Sequence, residues 1–168
     1  VLCLKGDLDN AEWRHRKALR IRELKGKEDE DCAISLSHLG DVLSRKGEYS
    51  EGVKVIKRAQ KIREQSLGMD HPITAATYID LGNVYYKQGN SNLALKEYRR
   101  AKIARESILG HDHQDTAVAL SCLGNALNLQ GDYQAAHKAH LQALNIYSAV
   151  LGEGHPLTAT GYQNIADT

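Results

Sequence analysis

The feature that most constrains this sequence is its self-similarity at a period of 42 residues. Leu39-Gly40, Leu81-Gly82 and Leu123-Gly124 recur at that spacing, followed by Gly47, Gly89 and Gly131, and then by Ala59, Ala101 and Ala143. Leu67-Gly68, Leu109-Gly110 and Leu151-Gly152 continue the series, and Thr74-Ala75, Thr116-Ala117 and Thr158-Ala159 close it. A chain that repeats in register folds as an array of one supersecondary unit, because a unit this small cannot bury its own apolar face and must stack on its neighbours. The opening residues join the series: Gly6, Ala11, Ala18, Glu23 and Gly26 match Gly47, Gly52, Ala59, Glu64 and Gly68, with one residue deleted between Glu23 and Gly26. The expected organisation is a single array over 1–168, with a partial repeat at 1–26, full repeats at 33–68, 75–110 and 117–152, and the start of another at 158–168. Neither end carries a polar capping helix, so the expectation is exposed apolar ends and end-to-end self-association.

Periodicity divides each unit into two helices. In the first, Ala33, Leu36, Leu39, Gly40 and Leu43 share one face, and Ala75, Tyr78, Leu81, Gly82 and Tyr85 repeat it. In the second, Ala94, Tyr98, Ala101, Ala104 and Ile108 share a face, as do Ala136, His140, Ala143, Ile146 and Val150. Gly47, Gly89 and Gly131 end the first helices, and Gly68, Gly110 and Gly152 are expected as left-handed C-caps of the second. Thr74, Thr116 and Thr158 stand where a hydroxyl could cap the next helix, after Pro72 and Pro156. Gly40, Gly82 and Gly124 are expected to leave room for Ala59, Ala101 and Ala143. The absence of Phe, the 14 Gly and the 2 Pro suit an all-α core of small and aliphatic side chains.

The residues from Leu81 to Gly110, with Leu81-Gly82, Tyr85, Gly89, Ala94, Tyr98 and Ala101, resemble the tetratricopeptide repeat (TPR). The 42-residue spacing with its LGMDHPITA and LGEGHPLTA linkers is similar to the kinesin light chain and nephrocystin type of that repeat. The resemblance covers essentially the whole chain. It implies a right-handed α-solenoid of antiparallel helix pairs, a non-catalytic protein-binding scaffold within a larger multidomain protein, with a concave groove lined by the first helices. The candidate groove residues are Ser37, Asp41, Ser44 and Arg45, then Ile79, Asn83, Tyr86 and Lys87, then Ser121, Asn125 and Asn128, then Gln163 and Asp167. Asn83 and Asn125 are equivalent by register, and a carboxamide offers the donor and the acceptor that clamp the backbone of an extended peptide. The alternative is that both merely solvate a helix face. The cations of a carboxylate clamp are missing, since Ser37, Ile79, Ser121, Asp41 and Asp167 occupy their places, which argues against acidic chaperone tails as partners.

Charge is uneven. Residues 1–105 hold 21 Lys and Arg against 15 Asp and Glu, whereas 106–168 hold one Lys against 6 acids. Arg14, Arg16, Lys17, Arg20 and Arg22, then Lys54, Lys57, Arg58, Lys61 and Arg63, then Lys96, Arg99, Arg100, Lys102 and Arg105 form a basic stripe expected on the outer wall. Such a stripe could meet phosphates or an acidic protein surface, but without interleaved aromatics or a Gly-rich loop a solvated face is the simpler reading, and nucleic acid is disfavoured. An array regulating an NTPase domain of the same chain is a further alternative.

No cofactor, metal or catalytic activity is expected. His140 and His15 occupy the register of Ile56 and Tyr98 and read as packing residues; His71, His113 and His155 are the linker histidine of the repeat. His137 with His140, and His111 with His113, lack carboxylate or thiol partners at ligand spacing. No phosphate loop, GxSxG or HExxH is present. The acidic run Glu28 to Asp31 reads as a solvated loop. Cys3, Cys32 and Cys122, an odd set with no CxxC pair, read as reduced thiols of a cytoplasmic protein, and no apolar run is long enough to span a membrane.

Overall fold

The computed structural model describes residues 2–24 and 28–168, with side chains from residue 7 onward. Gly26 and the side chain of Cys3 lie outside the described residues. All eight described elements are helices: α1 (Leu2–Glu23), α2 (Glu30–Lys46), α3 (Tyr49–Leu67), α4 (Pro72–Lys87), α5 (Ser91–Leu109), α6 (Gln114–Gln130), α7 (Tyr133–Leu151) and α8 (Pro156–Ala166). They fall into two compact units, Val1–Met69 and Asp70–Thr168.

In the first unit α2 packs between α1 and α3. Its core is Leu19, Cys32, Ala33, Leu36, Leu39, Leu43, Ala59 and Ile62, with Val55 against it. The register places a turn at Gly6, yet α1 runs unbroken through that position. The acidic run is structural: Asp29 caps α2 by accepting from the Cys32 amide at 3.1 Å, and Glu30 and Asp31 lie in the first turn, where the helix dipole favours negative charge. Lys46, at the end of α2, reaches α1 and the turn before α3, with its Nζ at 2.7 Å from Asp9, 2.5 Å from Glu12 and 3.2 Å from Glu48.

In the second unit α4 to α8 pack in chain order, and the first helices α4, α6 and α8 also touch their neighbours. The buried face of α4 is the one read from periodicity, with Ala75, Tyr78, Leu81 and Tyr85 all in the core. Helices α5 and α7 are 19 residues long and α4 and α6 are 16 and 17, so the last turn of α5 and of α7 outruns its neighbour. Ile108 and Val150, expected on the buried face, are for that reason exposed.

Three local expectations are corrected. The glycines of the Leu-Gly anchors make room for the residue one turn before the alanine: a Cβ on Gly82 would stand 2.6 Å from Tyr98 Cδ1, one on Gly124 2.5 Å from His140 Cε1, and one on Gly40 2.6 Å from Ile56 Cδ1. The helix caps of α4, α6 and α8 are His71, His113 and His155, whose Nδ1 accepts from the amide two residues on at 3.2, 3.1 and 3.2 Å. Thr116 and Thr158 instead donate to the carbonyls of Gly110 and Gly152 at 2.9 and 2.8 Å, fastening the linker on itself. Lastly, left-handed caps occur at Gly47 and Gly131, whereas Gly68, Gly110 and Gly152 combine positive φ with ψ of 164 to 168°, an extended backbone open to glycine alone.

Candidate functional site

The candidate groove residues sit on the first helices, and each unit presents its own set. In the first unit Asp41 and Arg45 are exposed on α2, but Ser44, expected outward, is buried, because α2 packs on both sides. Ser37 is half-buried and accepts from Arg63 at 3.2 Å.

In the second unit the same register resolves into tethered and untethered groups. Ile79, expected outward, is only 8% exposed and belongs to the core. Asn83 is half-buried, and its Oδ1 accepts from the Tyr98 hydroxyl at 2.8 Å. That bond fixes the amide plane and leaves Nδ2 with no acceptor among the described residues. Burial, and after it the neighbouring Cys122 and Tyr86, push the Tyr98 phenol well above its ordinary range, so it stays a neutral donor to Asn83. Tyr86 and Lys87, one turn on, are exposed.

On α6, Ser121 accepts from Asn164 at 2.9 Å and Asn128 donates to Thr168 at 3.2 Å, so both touch the C-terminal segment, although the Asn128 Oδ1 is buried without a partner among the described residues. Asn125 between them is half-buried with no hydrogen-bond partner among the described residues. Gln163 and Asp167 of the last segment are exposed. The open hydrogen-bonding surface of this unit therefore centres on Asn83 and Asn125, on two neighbouring helices, with Tyr86, Lys87 and Gln163 around them. No Lys or Arg occurs on α6 or α8.

Several structural roles went unread in the sequence. Arg22, Arg63 and Arg105 share one register, and they are structural ties more than an outer wall. The Arg22 guanidinium bonds the Asp31 carbonyl at 2.9 Å and the Ser35 hydroxyl; that of Arg105 bonds the equivalent Asp115 carbonyl at 2.6 Å. Arg63 pairs with Glu30 at 2.9 Å. Arg63 and Arg105 are buried, and burial lowers the Arg105 pKa from its ordinary value. Cys122 stands on the groove helix near Tyr98 and Arg105, and burial pushes its thiol up to about 11. Their common register, 41 and 42 residues apart, was the signal for the arginines; nothing comparable marked Cys122.

Five of the twelve remaining cations of the stripe also pair with carboxylates. Arg16 pairs with Glu12, Lys54 with Glu51, Arg58 with Glu23 and Glu28, Arg100 with Glu97 and Lys102 with Glu106. Arg100 also lies 4.0 Å from the Tyr78 ring centroid. Among the described residues, no group of three or more His, Cys, Asp or Glu could hold a metal ion, and no helix is long and apolar enough to cross a membrane.

A tetratricopeptide repeat model matches residues 31–102, 85–149 and 115–168. No curated protein matches the sequence. Among solved structures, BtubC (BKLC) from P. vanneervenii superposes with a TM-score of 0.81 at 18% identity, over 95% of this chain and 65% of that one. A putative kinesin light chain from Podosopora anserina with nearly identical TPR-like repeats gives 0.79 at 19% identity, over 98% and 78%. The Sgt2 TPR domain from Aspergillus fumigatus gives 0.56 at 18%, over 80% and 77%. The chain thus spans somewhat less than two thirds of the first of these proteins.

Proposed function

We propose that this chain, which belongs to the tetratricopeptide repeat family, binds an extended peptide segment of a partner protein across the first helices of its second unit, with Asn83 and Asn125 as the clamp. The coarse role follows from the family, whose repeats are protein–protein interaction scaffolds. The observation that carries the finer reading is the unequal tethering of groove side chains. Ser121 is engaged by Asn164 and the Asn128 Nδ2 by Thr168, while Asn125, the Nδ2 of Asn83 and the Oδ1 of Asn128 keep hydrogen-bonding capacity that nothing in the described chain satisfies. Half-buried amides in that state gain when a peptide's carbonyl and amide meet them. Without Lys or Arg on α6 or α8, the segment bound there carries no carboxylate where it crosses them.

A basic outer face reading phosphates is the weaker alternative, because eight of its fifteen cations already face a carboxylate or a backbone carbonyl. The test is a pull-down from nuclease-treated cytosol at physiological salt. It compares the parent with an Asn83→Ala, Asn125→Ala variant whose fold is checked by circular dichroism. Proteins held by the parent and lost from the variant support the groove; proteins held equally by both remove these asparagines from the site.

A further inference from the structure

His140 lies inside the α6–α7 pair. It is 1% exposed, and neither Nδ1 nor Nε2 has a hydrogen-bond partner. Its ring fills the space that Gly124 leaves open. In the preceding repeat Tyr98 fills the same space over Gly82 and satisfies its one polar atom on Asn83. The imidazole is shorter than a phenol, makes no such bond, and stands in register with the untethered Asn125.

A buried group with no partner is tolerable while it is neutral; a buried cation with no acceptor and no anion is not. The charged and titratable groups of the packed elements offer the imidazolium nothing. Helix α6 carries one charged residue, Asp115, nine positions before Gly124, and the Cys122 thiol, which burial keeps protonated. Helix α7 carries His137, which disfavours a second positive charge, and Lys138, with Asp132 bonded at its cap, Tyr133 exposed, and Tyr147, whose phenol burial pushes well above its ordinary range. Helix α8 carries Tyr162.

We propose that His140 makes the α6–α7 repeat acid-labile, so that the Asn125 stretch of the groove is ordered at neutral pH and loosens on acidification. Site and regulation are linked through α6, which holds Gly124, Asn125 and Asn128 in one turn. The regulatory part rests on the groove reading of Asn125; the acid lability of the repeat does not. Burial, and after it His137, lower the pKa of His140 below its ordinary 6.5. The sign follows: an unfolded chain takes up a proton at pH 6.5 that the folded one refuses, so stability is full above pH 6.5 and declines as pH falls below it.

The test compares the parent with His140→Tyr and His140→Met, the second in case the larger ring is not accommodated. Hydrogen exchange is measured by NMR at pH 7.5 and 5.5, with variant and parent compared at each pH so that intrinsic exchange rates cancel. All three proteins keep the histidine caps His71, His113 and His155, which cancel as well. The expected result is protection of α6 and α7 in the parent at least tenfold below that of either variant at pH 5.5, against a smaller gap at pH 7.5, together with an imidazole Cε1–H resonance that fails to titrate near pH 6.5 while the repeat is folded. An equal loss of protection in parent and variants, or a normal titration of His140 in the folded protein, would overturn it. If lability is confirmed but partner binding is unchanged between these pH values, the groove reading fails and the acid-labile repeat stands.

Discussion

Gly82→Ala tests the helix-pair geometry most sharply. A methyl group on Gly82 would stand 2.6 Å from Tyr98 Cδ1 and 3.0 Å from its Cζ, and Tyr98 is 2% exposed with its hydroxyl anchored on Asn83. The ring has no flexible end with which to yield. Overpacking of this kind costs about 1–3 kcal/mol. Moving the ring also gives up the Asn83 bond, worth about 1 kcal/mol net. Against this, replacing glycine by alanine inside a helix returns about 1 kcal/mol. The sum is a loss of about 1–3 kcal/mol, read by urea unfolding followed by far-ultraviolet circular dichroism. Because the ring is the obstacle, adding Tyr98→Leu to Gly82→Ala should cost less than the two single losses summed. A neutral or stabilising Gly82→Ala, or strict additivity of the pair, would refute the argument.

The same substitution should have the opposite sign at Gly52, where an added Cβ would stand 3.3 Å from the Gly40 carbonyl oxygen and 3.7 Å from Leu43 Cβ and Ser44 N, with no contact under 3.0 Å, and where Ala94 and Ala136 stand buried in the equivalent positions; Gly52→Ala is expected to gain about 0.5–1 kcal/mol in the same assay. Tyr98→Phe keeps the packing and removes the bond to Asn83, for a loss of about 1 kcal/mol in urea and a more mobile Asn83 amide by NMR. His113→Ala deletes the cap of α6 and should cost about 1 kcal/mol, whereas His113→Asn, which can accept the same amide, should cost less. Arg105→Met keeps the apolar stem but abandons the Asp115 carbonyl, and a loss of about 1–3 kcal/mol is expected by thermal or urea unfolding.

The fold was legible because glycine and alanine recur where two helices approach closely, and because the buried side chains of each first helix fall on one face. What the pattern left open was partner choice across that contact. Spacing alone paired Gly82 with Ala101, whereas the contact depends on where each side chain leaves its helix, and it is Tyr98 one turn earlier that crosses the glycine. Histidine and threonine both stand at the start of α4, α6 and α8, and propensity favoured the hydroxyl; the cap went to the imidazole, and the hydroxyls of Thr116 and Thr158 reached back to the linker carbonyl. The candidate site was readable only as a register. Counting from the Leu-Gly anchor gave Asn83 and Asn125, but it could not show that Ile79 and Ser44 turn inward, or that Asn164 and Thr168 occupy Ser121 and Asn128. The outer arginines misled for the same reason, since a side chain long enough to snorkel to solvent is also long enough to reach a neighbouring carbonyl.

The most direct measurement of the central claim is the affinity of a peptide selected on this protein from a random library, determined by calorimetry for the parent and for the Asn83→Ala, Asn125→Ala variant, at low and at physiological salt. The account predicts at least a tenfold weakening in the variant, a similar weakening when the peptide bond nearest Asn125 is N-methylated, and a shallow dependence on salt. Unchanged affinity in the variant, or binding that falls steeply with salt and ignores N-methylation, would contradict it and move the binding surface to the cations of the second helices.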